Sequence, residues 1–313
     1  MNRAFRYRAV SALLSVFSLT GCLFRSHKVE RQVSTAQLKS ATAQQLIDFV
    51  NSQAAKIKTL QATVDIDTSV GGSKIGKVTD YKEIRGYVLA RKPAMLRMIG
   101  LMPIVRNRAF DMVSDGQQFR LWIPPKNRFV VGRNDVSQPS KSPLENLRPQ
   151  HIYDALLLRP IDPENEIAVL ENDYEIVTDP KGHRVEQPDY VLDVIRRGPQ
   201  GWYLSRKIIF SRTDLLPHRQ LIYNERGDLV TDARYEDFKD YNGIMFPTQI
   251  DIWRPQEEYS ILLKIVKLQL NQSLTDEQFA LQQPPGAEVT NLDQKTSQAS
   301  QPAAQPNRQE QKQ

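Results

Sequence analysis

One cysteine, Cys22, stands in a chain of 313 residues. A disulfide framework and a thiolate metal site each need several, so neither is available. Histidine is almost as scarce. His27, His151, His183 and His218 are scattered, and none has a metal-ligand spacing such as H-E-x-x-H. No G-x-S-x-G nucleophile elbow is present, and no glycine-rich phosphate loop. Asp65 and Asp67 share one side of a strand pattern, but they alternate with Val64 and Ile66 as a solvated face does. His151 and Asp154 have the spacing of a surface contact on a helix. These gaps favour a binding protein over an enzyme, with no cofactor and no metal. Also missing is any apolar run of the roughly 18–20 residues that a helix needs to cross a bilayer. Charge of one sign is not concentrated either: 42 Lys+Arg against 36 Asp+Glu leave a dispersed +6. Nucleic-acid binding needs a basic patch, so no nucleic-acid partner is expected.

What is present begins at the N-terminus. Arg3, Arg6 and Arg8 precede an apolar stretch from Ala9 to Leu19, the layout of a secretory signal peptide. The stretch ends in Leu19, Thr20, Gly21 and Cys22, which resembles the bacterial lipobox. In that signal the cysteine thiol receives a diacylglycerol, cleavage occurs before it, and the new N-terminus is acylated. Two or more acyl chains hold a protein to a membrane stably, where one does so only marginally. Cys22 is therefore the expected lipidation site, with Leu19, Thr20 and Gly21 read by the signal peptidase. Leu23, rather than aspartate, follows the cysteine. By the same resemblance the destination is the outer membrane, on its periplasmic face. The leader carries three arginines and no acid, so without it the net charge falls from +6 to +3.

The organisation expected is a signal peptide at 1–21, a lipidated tether at 22–41, a folded domain at 42–290 and a disordered tail at 291–313. The tail is rich in Gln, Ala, Ser and Pro and has no aromatic residue, so it cannot bury enough apolar surface to order itself. Thr42 with Gln45 forms a capping box, and Leu46, Ile47, Val50 and Ala54 then recur on one helix face. From Leu60 the period changes to two, with Leu60, Ala62, Val64 and Ile66 on one side. Strand patterns follow near 80–90, 94–100, 106–114, 118–124 and 127–132, with Asp115-Gly116 as a hairpin turn. A short helix is expected within 144–159. Strands resume near 167–178, 189–197, 201–212, 218–225, 228–238, 244–254 and 258–269. Thr275 and Gln278 can cap a last helical turn. Long antiparallel strands with few helices define a mainly β fold of the α+β class, one strongly curved sheet or open barrel.

Several strands are apolar on both sides. Leu96 and Met98 alternate with Met95 and Ile99, and Leu262, Val266 and Leu268 alternate with Ile261, Leu263 and Ile265. Either a helix covers the second face or that face lines a cavity.

Residues 235–289 carry a recognisable pattern. Asn242-Gly243, Phe246-Pro247-Thr248, Asn271, Leu274, Phe279 and Pro285-Gly286-Ala287 resemble the end of the LolA/LolB-like superfamily of lipoprotein carriers, receptors and related sensors. The run from Val113 to Gly132, with Asp115-Gly116, resembles the hairpin and strands of the same family, and the likeness covers about residues 43–290. The resemblance implies a half-open antiparallel barrel with lid helices over a cavity that binds acyl chains. Candidate wall residues of that cavity are Leu96, Met98, Phe110, Met112 and Trp122. A lipidated version resembles the receptor member, though this chain is longer.

The expected function is therefore an outer-membrane lipoprotein that binds acyl chains or lipoproteins in sorting or insertion. The alternative is an envelope scaffold or sensor that binds a protein partner with the same fold. An envelope hydrolase is the third reading. A cavity lined by aliphatic side chains favours the first, a filled interior with an exposed groove the second, and converging polar groups the third. The segment 99–110, IGLMPIVRNRAF, is read as a hairpin connection, since Gly100 and Pro103 suit a loop. Leu101, Met102 and Ile104 then either meet a membrane, with Arg106 and Arg108 beside them, or fold back to plug the barrel end. In the receptor member of the resembled family a loop at a similar place projects an apolar side chain towards the membrane.

Overall fold

A computed structural model describes residues 33–74, 76–134, 148–179 and 181–293. The expected signal peptide at 1–21, Cys22 and the residues from 294 onwards lie outside the described residues. The described chain is mostly strand, with helices α1 (Ala43–Lys56) and α2 (Pro149–Leu156). Among the described residues no helix is long and apolar enough to cross a membrane.

The strands are β1 (Thr59–Gly72), β2 (Lys77–Arg91), β3 (Met95–Leu101), β4 (Arg108–Ser114), β5 (Gln118–Ile123) and β6 (Arg128–Arg133), then β7 (Glu166–Thr178) and β8 (Arg184–Gly198). After them come β9 (Gly201–Ser211), β10 (Pro217–Tyr223), β11 (Leu229–Asp240), β12 (Met245–Arg254), β13 (Tyr259–Leu270) and β14 (Glu288–Asn291). Their spatial order is β14-β6-β5-β4-β3-β2-β1-β13-β12-β11-β10-β9-β8-β7. This is one strongly curved, unclosed sheet, a half-open barrel. It consists of two meanders, β1 to β6 and β7 to β13, joined where β1 pairs with β13 from Leu60↔Leu270 to Val70↔Tyr259.

The chain divides into two compact units; the described part of the smaller is residues 33–35 with those of Glu175–Gln187 other than 180. In it Val33 pairs in parallel with Glu186, and Ser34 N–H donates to the Glu186 carbonyl at 2.8 Å. The Asp179 carboxylate takes the N–H groups of Lys181 and His183 at 2.9 and 2.8 Å and tightens the turn. The larger unit holds both helices and most of the sheet.

Local chemistry explains the larger unit's joints. Thr42 and Gln45 form the expected reciprocal cap of α1. Asn271, at φ 60°, donates to the Lys56 carbonyl and accepts from Lys58 N–H, both at 2.8 Å, so one side chain fixes the α1–β1 corner. Asn242 and Gly243 are both left-handed, at φ 57° and 79°, as a two-residue hairpin turn requires. Pro247, in an interior strand, stands beside an irregularity at Asp237 (φ 55°), whose carbonyl is taken by the Thr248 hydroxyl at 2.8 Å.

The concave face holds the main core, with Leu60, Val64, Val88, Leu96, Met98, Met112, Ile250 and Leu263 among its members and Ile152, Tyr153, Ala155 and Leu156 of α2 packed onto it. A second cluster joins Leu46 and Val50 of α1 to Leu192, Val194, Ile208 and Phe210. On the convex face the C-terminal segment crosses the strands as a strap. Arg91, Arg97 and Arg120 donate from successive positions to the carbonyls of Leu274, Gln278 and Leu281 at 2.9, 2.9 and 3.2 Å. The strap ends in β14, which lies parallel to β6. The ordered chain thus runs past the expected boundary at 291: Asn291 closes β14 and Leu292 is buried in the main core.

Leu268 and Ile265 both reach the core because the β1–β13 register shifts between Thr63 and Val64. That bulge leaves Val266 exposed. The two-sided apolar reading of β13 thus comes from a change of parity rather than from a second covered face.

Asp111 is fully buried and grips Arg97 through two bonds, 3.0 and 2.8 Å, with Arg108 Nη1 also 3.0 Å away. Removing one partner of a buried pair leaves the other charge uncompensated. Asp111→Ala should therefore lower the unfolding free energy by about 3–5 kcal/mol, read by urea denaturation followed by circular dichroism. A loss below about 1 kcal/mol would place this pair with ordinary surface pairs.

Candidate functional site

Gly86 of β2 and Gly100 of β3 face each other directly across the ladder. A Cβ on Gly100 would meet the Phe110 ring at 2.4 Å and Ile84 Cδ1 at 2.7 Å, and one on Gly86 would meet Ile66 Cδ1 at 2.5 Å. The paired glycines let Ile66, Ile84 and Phe110 lie flat over bare backbone. Beyond this point β3 stops at Leu101, whose partner is Arg85, while β2 continues back to Lys77. The gap so opened is an apolar cavity of about 220 Å³, walled by Ile66, Ile84, Phe110, Leu121 and Ile123 with Thr68, Tyr81, Lys82 and Ala109 at its margin. A second cavity, of about 40 Å³, lies under the helices between Phe49, Ile57, Leu156, Leu158, Phe238 and Met245. It has room for only a few waters.

The five candidate wall residues separate three ways. Phe110 lines the open cavity. Leu96, Met98 and Met112 point to the same concave side but are packed solid in the main core, because α2 fills the space they would have lined. Trp122 points the other way. It pairs with Asp111 and Phe129 and packs on the convex face with Val113, Phe129, Leu281 and Ala287. Its neighbours Leu121 and Ile123 are the ones that face the cavity, so the Trp122 assignment was one residue out of register. The glycine pair in mid-strand was the available signal for Ile66 and Ile84, since glycine inside a strand marks close approach of other groups.

The loop between β3 and β4 starts at the same strand end. Met102 N–H donates to the Asn107 carbonyl at 2.7 Å and Arg106 N–H to the Met102 carbonyl at 3.1 Å, closing a compact turn. Ile104 and Arg106 are both left-handed, at φ 69° and 53°. Such a conformation is rare for a β-branched residue. Ile104 is 99% exposed, Val105 60% and Met102 38%, while Leu101 is half-buried as the last residue of β3. The side chains at the tip do not fold back into the barrel end. Leu19, Thr20, Gly21 and Cys22 lie outside the described residues.

The polar groups do not assemble a reaction centre. Asp65 is held by Arg85 at 2.5 and 3.0 Å. Glu166, buried, gathers Arg196 at 3.0 Å, Arg206 at 3.3 Å and Arg159 at 3.4 Å. Arg206 also donates to the carbonyls of Arg159 and Pro160 at 2.6 and 2.9 Å, which ties down the chain leaving α2. Burial pushes the Asp154 carboxyl above its ordinary range, against a hydrogen bond from Gln150 at 2.9 Å. Burial, with Arg254 and Arg148 nearby, pushes His151 well below its ordinary value. His151 and Asp154 are thus half-buried and poorly solvated on α2 rather than freely exposed. Among the described residues no group of three or more His, Cys, Asp or Glu could hold a metal ion.

No family model matches the chain, and no curated protein matches it in sequence. Solved structures are similar to it. One is a LolA superfamily protein from Nitrosomonas europaea, at 17% identity over 77% of this chain and 99% of the other, with a TM-score of 0.45. Another is a DUF1329 family protein from Desulfovibrio piger, also 17% identical, over 77% and 98% of the two chains, TM-score 0.48. A third is a candidate outer membrane lipoprotein-sorting domain from Vibrio parahaemolyticus, 14% identical over 76% and 97%, TM-score 0.43. The first belongs to the superfamily that residues 235–289 resemble.

The His151 shift has a signed consequence. A histidine whose folded pKa lies below its unfolded value binds its proton mainly in the unfolded chain. The resulting stability is present above the unfolded value and is lost as pH falls below it, towards the lower folded value. The thermal midpoint should therefore fall between pH 7 and pH 5, and fall less in His151→Gln. An equal loss in both proteins would remove His151 as the cause.

Proposed function

We propose that the chain is a lipoprotein anchored through Cys22 to the outer membrane, facing the periplasm, that holds acyl chains of a lipid or lipoprotein and works beside the bilayer. One observation carries this reading: the apolar cavity between β2 and β4–β5 lies at the strand end from which the loop carrying the fully exposed Ile104 projects. An isoleucine exposed to water on a tight turn gains by entering a bilayer's interface, with basic Arg106 next to it to meet anionic headgroups. A chain leaving that interface meets Phe110, Ile84 and Ile66. The cavity is below the usual size of a small-molecule pocket, ~300–1,000 Å³. It takes part of an acyl chain, and a larger load needs α1 and α2 to move off the narrow space beneath them.

A second reading has its own observation. Leu96, Met98 and Met112 are packed solid, so much of the barrel interior is filled, as in a scaffold that binds a protein partner on its surface. The apolar lining of the open cavity supports the first reading.

Ile84→Trp sets an indole into the cavity from a half-buried position. The affinity of the mature chain for dansyl-undecanoic acid should fall at least tenfold while unfolding stays cooperative. Unchanged affinity would favour the protein-partner reading.

Ile104→Glu tests the loop. With the side chain wholly in water, the thermal midpoint should not move, and co-sedimentation with vesicles of phosphatidylethanolamine and phosphatidylglycerol should drop several-fold. Unaltered sedimentation would take the loop out of the account.

A further inference from the structure

The sheet has two ends, and they differ. One is β14, four residues long and parallel to its neighbour β6. Short edge strands of this kind resist pairing with other chains. The other end is β7, thirteen residues long, the last strand in the spatial order among the described residues. Its sequence, EIAVLENDYEIVT, has no proline, lysine or arginine, the residues that commonly blunt an edge. Its concave side is used: Ala168 and Leu170 pack on the α1 cluster and Glu166 is locked by three arginines. Its convex side leaves Ile167 and Val169 half exposed, at 50% and 48%.

We propose that β7 pairs with β7 of a second copy of this chain, antiparallel, about a two-fold axis at Ala168. Two-fold pairing that continues the sheet with the same face outward places the axis on a residue. At Ala168, Ile167 falls opposite the second copy's Val169, and Val169 opposite its Ile167. Four β-branched side chains then form one apolar patch on the convex face, held by cross-strand side-chain contact. Charge agrees with this register. Glu171 falls opposite Asn165, Glu166 keeps its own arginines opposite Leu170, and no two acids face each other. Glu171 is also within 3.5 Å of its own Lys207. An axis at Val169 would instead set Ile167 against Glu171, and one at Leu170 would set it against Asp173. An isologous contact closes on itself at two copies. A contact of one strand pair is small beside the ~1,200–2,000 Å² of stable interfaces, so the dimer is weak and depends on concentration.

Sedimentation equilibrium of the full mature chain should show a dimer fraction that rises with concentration. Exchange of those amides among residues 167–170 that point away from β8 should slow in parallel. Ile167→Lys with Val169→Lys puts lysine opposite lysine at both positions and should give monomer, and so should Ile167→Glu with Val169→Glu. Mixed one to one, the two variants should form a heterodimer, a rescue that loss of fold does not produce. A wild-type chain that stays monomeric at every concentration would overturn the proposal. So would protection at all dilutions of the β7 amides that point away from β8, which would mean that the chain covers its own edge, and so would a mixture without heterodimer. If the variants fail to unfold cooperatively, the concentration dependence of wild-type exchange decides alone.

Discussion

The pairing of β1 with β13 holds the rest together. Each meander alone is a curved ribbon with one greasy face. Joined along Leu60↔Leu270 to Val70↔Tyr259, they become one sheet whose concave side encloses a common core. Residues from the two ends of the sequence then bury each other: Ile66 against Leu263, Ala62 against Leu268. Asn271 and the α1–β1 corner fix where the seam starts, and the Thr63/Val64 bulge keeps apolar side chains inward along it. The contacts are far apart in sequence, so the chain must lose much loop-closure entropy before they form.

Everything at the candidate site follows from that curved sheet. β2 is long because β1 needs a partner along its full length, and β3 is short because the chain turns back at Leu101. The difference leaves a gap in the wall, and the Gly86–Gly100 pair lets apolar side chains line it without a collision. On the outer side Asp111 holds Arg97, which in turn holds the strap at Gln278. The cavity wall is thereby stiffened from behind by charge, while its front stays apolar.

Much of this was legible from the residues. Alternation from Leu60 gave β1, the capping box gave α1, Asn242-Gly243 gave its hairpin, and the strand series came within a few residues of the observed bounds. The site was less legible. Leu96, Met98 and Met112 were reasonable cavity walls until α2 was placed on them, and no local pattern says where a short helix docks. Trp122 failed because alternation gives two faces without naming which is inner. β14 was missed because four residues carry no period, and its parallel partner lies far back in the chain. The loop was readable as a loop, but its outward apolar tip shows only in the exposure of Ile104, Val105 and Met102.

The proposed function rests on an acyl chain occupying the open cavity. Native mass spectrometry of the full chain extracted from envelopes would read that occupancy. Wild-type protein should carry a lipid or fatty-acyl adduct that Ile84→Trp loses. A wild-type spectrum without any such adduct, or an adduct that Ile84→Trp retains in full, would contradict it.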